Sequence, residues 1–170
     1  MSMPPMPLIL DDASVKISSD DTAANLKELA CVATHVELAP DTTVTTVDTM
    51  CGSTDYAGTT KWTLTCTFVQ SFDVGATEDI LSAAVAHAGP VMFAVMGYRS
   101  KTPSATNPVW SGLCDPRPYP PINGDAGAAS EIQITWGVVG APTKGITAPT
   151  SAMLSEPVSQ PASQPAPAGV

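Results

Sequence analysis

The side chains most often used for catalysis or metal binding are few in this chain, and they are scattered. It has two histidines and four cysteines. Cys31, Cys51, Cys66 and Cys114 form no CxxC pair and no Cys/His group at ligand spacing, so we expect no zinc site. His35 falls on the polar side of a predicted strand, where a partly exposed structural role is expected. The sequence therefore predicts no metal and no cofactor.

The acidic residues near the middle of the chain are a second possible source of chemistry. Asp73, Glu78 and Asp79 could in principle serve as general acids or bases. Their positions favour a structural role. Asp73 ends a predicted strand, and the other two fall in the first turn of a predicted helix, where negative charge interacts favourably with the helix dipole. The chain contains no GxGxxG, GxxxxGK[ST], GxSxG, HExxH or EF-hand motif. We expect a protein that is not an enzyme.

The sequence gives little indication of secretion or of membrane insertion. The first residues, MSMPPMPLILDD, lack the charged and long apolar regions of a secretory signal. We therefore predict reduced thiols, most of which pack as small apolar groups. No segment approaches the roughly 18 to 20 apolar residues that a membrane-spanning helix requires, so no membrane insertion is expected.

The clearest structural pattern is a two-faced strand from Lys61 to Phe72. Alternate side chains of a strand point to opposite faces. One face is apolar and consists of Trp62, Leu64, Cys66, Phe68 and Phe72. The opposite, polar face consists of Thr63, Thr65, Thr67 and Ser71, and it could line a channel or meet solvent.

A short amphipathic helix is predicted directly after this strand, from Thr77 to Ala88. Its apolar residues recur at helical spacing. Gly89 is expected to take the left-handed cap conformation, and Pro90 cannot continue the helix. A helix this short needs to pack its apolar stripe on a sheet.

The remaining segments complete a mainly β chain of about seven strands. The other predicted strands contain Val15 and Ile17 or run over Glu28 to Leu38, Val44 to Asp48, Val91 to Arg99, Val109 to Cys114, and Glu131 to Val139. Two long irregular loops are predicted, Thr49 to Thr60 and Asp115 to Gly127, and loops of that length are often interaction sites.

Composition and charge narrow the class of protein. Hydrophobic residues make up 44% of the 170 residues and charged residues only 14%, which suits one β-rich domain that buries part of its surface in an assembly. The net charge is −9, and no Lys/Arg cluster is present, which argues against adhesive binding of nucleic acid. Residues 1–80 carry twelve acidic and three basic side chains.

Three regions are predicted along the chain. Residues 1–12 form an N-terminal arm, in which Leu8, Ile9 and Leu10 would be unfavourable in water. Residues 13–141 form the β domain. Residues 142–170 form a tail rich in Pro, Ala and Ser that cannot bury enough apolar surface to order by itself, so we expect a flexible segment.

Five segments of the sequence, taken in order, resemble one known family. They are Lys61 to Asp73, Ala76 to Asp79, Ser104 to Gly112, Pro118 to Ser130 and Glu131 to Thr143. Together they resemble the major tail protein, or tail tube protein, of long-tailed siphophages, particularly those of actinobacteria. The resemblance spans about residues 13 to 143.

The resemblance implies a tail-tube-type β-sandwich or barrel with one flanking helix, in subunits that form hexameric rings stacked into a tube. The tube would be a structural part of the virion and a conduit through which DNA passes without adhering. It would be made in the host cytoplasm and would work with a tail tip or initiator protein, a tape measure protein and a terminator. The expected assembly contacts are Leu8, Ile9, Leu10, Asp55, Tyr56, Arg117, Tyr119 and Asn123.

Two other functions fit the same composition. A surface β-sandwich that binds carbohydrate or mediates adhesion could use Trp110, Tyr119 and Tyr98 as a stacking platform. A capsid decoration protein would share the low charge and the polar tail.

Overall fold

The computed structural model of the protein describes residues 12–149, which form a mainly β fold. Within that range the chain has seven strands and one α-helix, with 3-10 turns at Ala23–Asn25 and Ala30–Val32. The elements are β1 Ser14–Ile17, β2 Lys27–Glu28, β3 Ala33–Thr49, β4 Gly52–Val69, α1 Thr77–Ala86, β5 Val91–Met96, β6 Val109–Cys114 and β7 Glu131–Gly145. The predicted fold class is confirmed.

The seven strands form one antiparallel sheet that folds over on itself. Its order is β2-β1-β5-β6-β7-β4-β3. Val15 on β1 and Leu64 on β4 lie far apart in this order, yet both belong to the same buried cluster. The two halves of the sheet therefore enclose one core, as in a partly open barrel, because a single apolar face must be covered.

The core contains the alternating apolar residues that the sequence predicts to lie on one face of each strand. Leu64, Cys66 and Phe68 of β4 are fully buried. Their neighbours across the sheet on β7 are Trp136, Ile134 and Ile132, in that order, and these are buried as well. The period-two alternation of both strands thus places their apolar side chains on one side of the sheet.

Helix α1 closes the core, and it is shorter than predicted. Leu81 and Ala84 are buried, as is the side chain of Thr77, whose hydroxyl donates to the Val69 carbonyl at 3.1 Å. The helix ends at Ala86 rather than Ala88, because the His87 N–H donates to the Ala84 carbonyl at 3.3 Å and the chain then extends into β5. Gly89 does not adopt a positive φ, so the predicted glycine cap is wrong.

The largest departure from the sequence prediction lies between residues 28 and 60. Ala30–Val32 forms a 3-10 turn, not strand, and β3 then runs without a break from Ala33 to Thr49. The segment Thr49 to Thr60, predicted as an irregular loop, is a turn at residues 50–51 followed by the first part of β4. The error has a physical cause: this segment lacks an apolar face, but its many threonines favour strand and it pairs with β3 along its length.

Several other element ends differ from the prediction. β4 ends at Val69, so Ser71 and Phe72 are not part of the strand, and Phe72 is 64% exposed. β5 ends at Met96, three residues before the predicted end at Arg99. β7 continues to Gly145 by pairing with β6, so the predicted boundary after residue 141 falls within a strand.

Candidate assembly surface

The most unusual feature is the outer part of the β3–β4 hairpin, which projects from the body. Every residue from 40 to 61 is exposed, although all but the turn belong to β3 or β4. We call residues 40–61 the distal hairpin. A two-stranded hairpin with both faces in water is marginally stable by itself. The distal hairpin is therefore held by the pairing of its two strands, without a core of its own.

Side-chain hydrogen bonds join the two strands of the distal hairpin. The Thr46 hydroxyl donates to the Asp55 carboxylate at 2.7 Å, and Ser53 donates to Asp48 at 2.5 Å. The hydroxyls of Thr42 and Thr60 lie 2.8 Å apart. These cross-strand pairs hold the register of a segment that has no core to fix it.

The register shifts by one residue midway along the hairpin. Thr42 pairs with Thr60, but Val44 pairs with Ala57, so β4 has an extra residue at this point. Gly58 lies here, and a β-carbon at this position would lie 2.5 Å from Thr43 Oγ1 and 2.9 Å from the Thr43 carbonyl oxygen. The irregularity therefore depends on glycine, as is common at β-bulges.

The surface of the distal hairpin is both acidic and partly apolar. It carries three aspartates and, apart from Lys61 at its base, no basic residue. Its exposed apolar side chains are Val44, Val47, Met50 and Tyr56, with Tyr56 59% exposed. Of the predicted assembly residues, Asp55 and Tyr56 lie on this surface, but in a strand rather than a loop. The other three predicted contacts near the N-terminus, Leu8, Ile9 and Leu10, lie outside the described residues.

The polar face of β4 forms part of a wider polar surface. Thr65 lies between Glu37 of β3 and Thr135 of β7, and Thr67 lies between His35 and Gln133. Thr63 is on the same face, and all three threonines are half-buried by their neighbours. Ser71 was predicted to belong to this face, but it follows the strand's end, where its hydroxyl donates to Asp73 at 3.3 Å. We call this surface the polar sheet face.

The loop between β6 and β7 makes its contacts within its own domain. The Tyr119 hydroxyl donates to the Glu78 carboxylate at the start of α1. The pKa of Tyr119 is raised above its ordinary value, mainly by burial. The hydrogen bond to Glu78 and the charge of Glu78 act in the same direction. Tyr119 thus packs against the core from outside and fixes the loop on the helix.

The other two predicted contacts of this loop also have partners within the chain. Arg117 forms an ion pair with Asp115 at 2.9 Å, and the Asn123 amide donates to the Glu131 carbonyl at 3.2 Å. The buried Trp136 indole donates to the Pro118 carbonyl at 3.1 Å. These contacts fix the loop on its own domain.

The aromatic platform considered for carbohydrate binding is not assembled. Trp110 and Tyr98 line one apolar cleft of about 200 Å³ together with Val36 and Leu38. Tyr119 lies elsewhere, against α1. The ring centroid of Trp110 is 6.2 Å from that of Trp62, with an interplanar angle of 34°. This pair packs across the sheet instead of presenting two parallel faces to a ligand.

A cleft with a basic rim lies where β1, β5 and the chain after β5 meet. Its volume is about 330 Å³, and its rim includes Lys16, Arg99 and Lys101. Lys16 is far in sequence from Arg99 and Lys101, and no local pattern reveals that it shares a cleft with them. The cleft is not predicted from the sequence, because the antiparallel pairing of β1 with β5 creates it.

The four cysteines divide into two classes. Cys66 and Cys114 are fully buried, and burial raises the pKa of each thiol to about 12. Cys31 and Cys51 are exposed, so the prediction that the thiols pack as small apolar groups is wrong for these two. Cys51 lies in the hairpin turn, and Cys31 accepts a hydrogen bond from the Arg99 guanidinium at 2.9 Å.

No group of His, Cys, Asp or Glu side chains within residues 12–149 is arranged to hold a metal ion. In the same described part of the chain, no helix has the length and apolar character to cross a membrane.

Comparison with known proteins shows a likeness in structure. No family model and no curated protein matches the sequence. The structure is similar to a chain from the tail of an empty GTA (gene transfer agent) particle, determined by helical refinement with C6 symmetry. The TM-score is 0.55 at 11% sequence identity, over 78% of this chain and 95% of the other. The chain thus shares its β fold with a chain from that C6-symmetric tail.

Proposed function

We propose that this protein is the structural tube subunit of a phage-like tail of the long, siphophage type. Its subunits form hexameric rings, and the rings stack into a hollow conduit for DNA. The observation that carries this proposal is the distal hairpin, which is ordered by cross-strand pairing yet exposed on both faces. The likeness of the fold to a C6-symmetric tail subunit supports it.

The hairpin suits a protein whose exposed apolar side chains become buried only in an assembly. Met50 at its tip is entirely exposed, at 108% of the reference area, and Val44 is 60% exposed. Burial of such side chains against a second subunit contributes about 25 cal/mol per Å² of apolar area. A repeating ring provides the same partner surface for every copy, so each hairpin is covered.

Strand β3 gives a second reason to expect lateral assembly. It stands at the edge of the sheet and is 17 residues long. A long edge strand presents unpaired backbone groups that readily pair with another chain, and closure into a ring removes that edge. In our proposal β3 pairs with the sheet of the adjacent subunit and continues a barrel around the lumen.

The polar sheet face suits the inner wall of a DNA conduit. It carries hydroxyl and amide groups, the carboxylates of Glu37 and Glu131, and the His35 imidazole, which lies 3.8 Å from Glu37, on the side of the sheet away from the core. Cationic side chains would bind phosphates and slow the DNA, whereas a neutral to negative wall does not. We propose that Thr63, Thr65 and Thr67 face the lumen.

The same proposal defines the partners and the location. A tube of fixed length needs a tail tip or initiator protein, a tape measure protein and a terminator. The subunit would be made in the host cytoplasm and would become part of the virion. Its role is mechanical and electrostatic, with no enzymatic activity and no cofactor.

Electron microscopy of the concentrated, purified protein tests the proposal, together with sedimentation of the same sample. We expect hollow tubes of constant diameter or sixfold rings. The matched variant replaces Thr42–Thr60 with a two-residue Asn-Gly turn, which keeps the body and removes the outer hairpin. This variant should stay folded by circular dichroism and form no tubes. Small closed oligomers such as trimers would favour a capsid decoration protein, and a monomer that binds glycans would favour an adhesion module.

A further inference from the structure

The basic cleft between β1 and β5 combines charge with an apolar lining. The rim carries Lys16, Arg99 and Lys101, and between them lie Ala94, Met96 and Val109. The whole chain has seven basic residues and a net charge of −9, so three of its cations are concentrated at one cleft. Such a site selects a ligand that is both acidic and apolar.

The three cations differ in how far they are neutralised. The Lys16 ammonium lies 3.7 Å from the Glu28 carboxylate, and Arg99 lies 3.5 Å from Asp12. Lys101 forms no ion pair within residues 12–149, and its ammonium lies 4.0 Å from the centroid of the Tyr98 ring. Lys101 is therefore the cation with the most capacity to bind an added carboxylate.

The distal hairpin has the complementary chemistry. Its aspartates Asp41, Asp48 and Asp55 are all exposed, and no basic residue lies between the first and the last of them. The turn residue Met50 and the nearby Val47 supply exposed apolar groups. Because the whole distal hairpin is exposed in its own subunit, it does not occupy its own cleft.

We propose that the cleft rimmed by Lys16, Arg99 and Lys101 binds the hairpin tip of a second copy of this chain. This inference rests on the proposed function and names the surface that receives the hairpin. The contact is heterologous, since hairpin and cleft are different surfaces of one subunit, and it therefore extends from copy to copy. Met50 enters the apolar part of the cleft, while Asp48 approaches Lys101.

Cross-linking tests the contact directly, because Cys51 is a native thiol in the hairpin turn. Cys31 is replaced by serine to remove the other exposed thiol, and Thr102→Cys is added, because Thr102 is exposed and lines the cleft beside Lys101, which stays in place. A short bismaleimide should then produce covalent dimers and longer ladders that disappear when Cys51→Ser is introduced. The control is Ala83→Cys in the same background, on the exposed face of α1, which should give no ladder. A ladder from Ala83→Cys without one from Thr102→Cys would overturn the inference.

Charge reversal provides an independent test. Lys101→Glu should raise the protein concentration needed for assembly about tenfold, as expected when an attractive exposed pair becomes a repulsive one. Asp48→Lys in the same chain should restore most of that loss. Lys27→Glu makes the same change in charge on an exposed residue outside the cleft, and it should have little effect.

The outcomes separate this inference from the proposed function. Tubes that form normally in Lys101→Glu, together with no ladder from Thr102→Cys, would overturn the cleft contact and leave the tube intact. A ladder through residues 51 and 102 in a small, closed oligomer would support the contact and overturn the tube. A chain that stays monomeric and gives no ladder would overturn both.

Discussion

The hydroxyl of Tyr119 donates a hydrogen bond to the carboxylate of Glu78, across 41 positions of sequence. This bond joins the loop after β6 to the first turn of α1. Trp136 holds the same loop from the core side through its indole N–H. A Pro- and Gly-rich segment with no regular structure is therefore fixed at both the helix and the sheet.

Tyr119→Phe should lower the free energy of unfolding by about 1 kcal/mol, since a partly buried hydrogen bond is lost while the ring still packs. Because the folded state raises the pKa of Tyr119, its contribution is complete below the unfolded pKa of about 10 and is lost as pH rises through the folded value. Urea unfolding at about pH 8 and pH 11 should show a smaller alkaline loss in the variant. An equal loss in both proteins would contradict the assignment.

The two classes of cysteine should differ in reactivity. At about pH 8 a thiol reagent should modify Cys31 and Cys51 in the native protein, and Cys66 and Cys114 only after unfolding, because the last two are buried and protonated. Mass spectrometry of the labelled peptides measures this. Cys66→Ser should also destabilise the fold by about 1 to 3 kcal/mol, because it buries a hydroxyl among apolar groups. Cys51→Ser is the matched control and should change stability by less than about 0.5 kcal/mol.

Gly58→Ala should disturb assembly more than folding. The added β-carbon would lie 2.5 Å from Thr43 Oγ1 and 2.9 Å from a backbone oxygen, so the irregular pairing of the hairpin has to open. The body contains the core, and its melting temperature should change little. Gly137→Ala is the control, on β7, which pairs with the other side of β4, and a β-carbon at this position meets nothing within 4 Å. Sedimentation and thermal melts of both variants compare the two effects, and normal assembly of Gly58→Ala would show that the bulge tolerates a side chain.

Asp20 should stabilise the fold at neutral pH, and this contribution should be lost in acid. Burial alone would raise its pKa, but hydrogen bonds from Thr22, Asn25 and Ser18 outweigh that effect and lower the pKa to about 2. Its contribution is therefore present above the unfolded pKa of about 3.9 and is lost as pH falls through about 2. The Asp20→Asn variant should be less stable than the unsubstituted protein at neutral pH, and it should lose less stability on acidification. Acid titrations followed by circular dichroism measure the difference, with Asp21→Asn, an exposed neighbour, as the control.

The elements that sequence predicted best are those with one apolar and one polar face. Leu64, Cys66 and Phe68 are buried as the alternation requires, and the start of α1 at Thr77 is confirmed. In these segments the contrast between apolar and polar residues is local, so neighbouring residues are sufficient to indicate the structure.

By itself, then, the sequence determined the mainly β class, the core face of the central strands and the single helix. Only the tertiary structure decided that β3 and β4 continue as a projecting hairpin, because exposed threonine-rich strands have no buried face to create a pattern. It also decided that Tyr119 binds within its own subunit and that Lys16 and Lys101 line the same cleft. Such contacts join residues far apart in sequence, and they depend on how one sheet folds over its core.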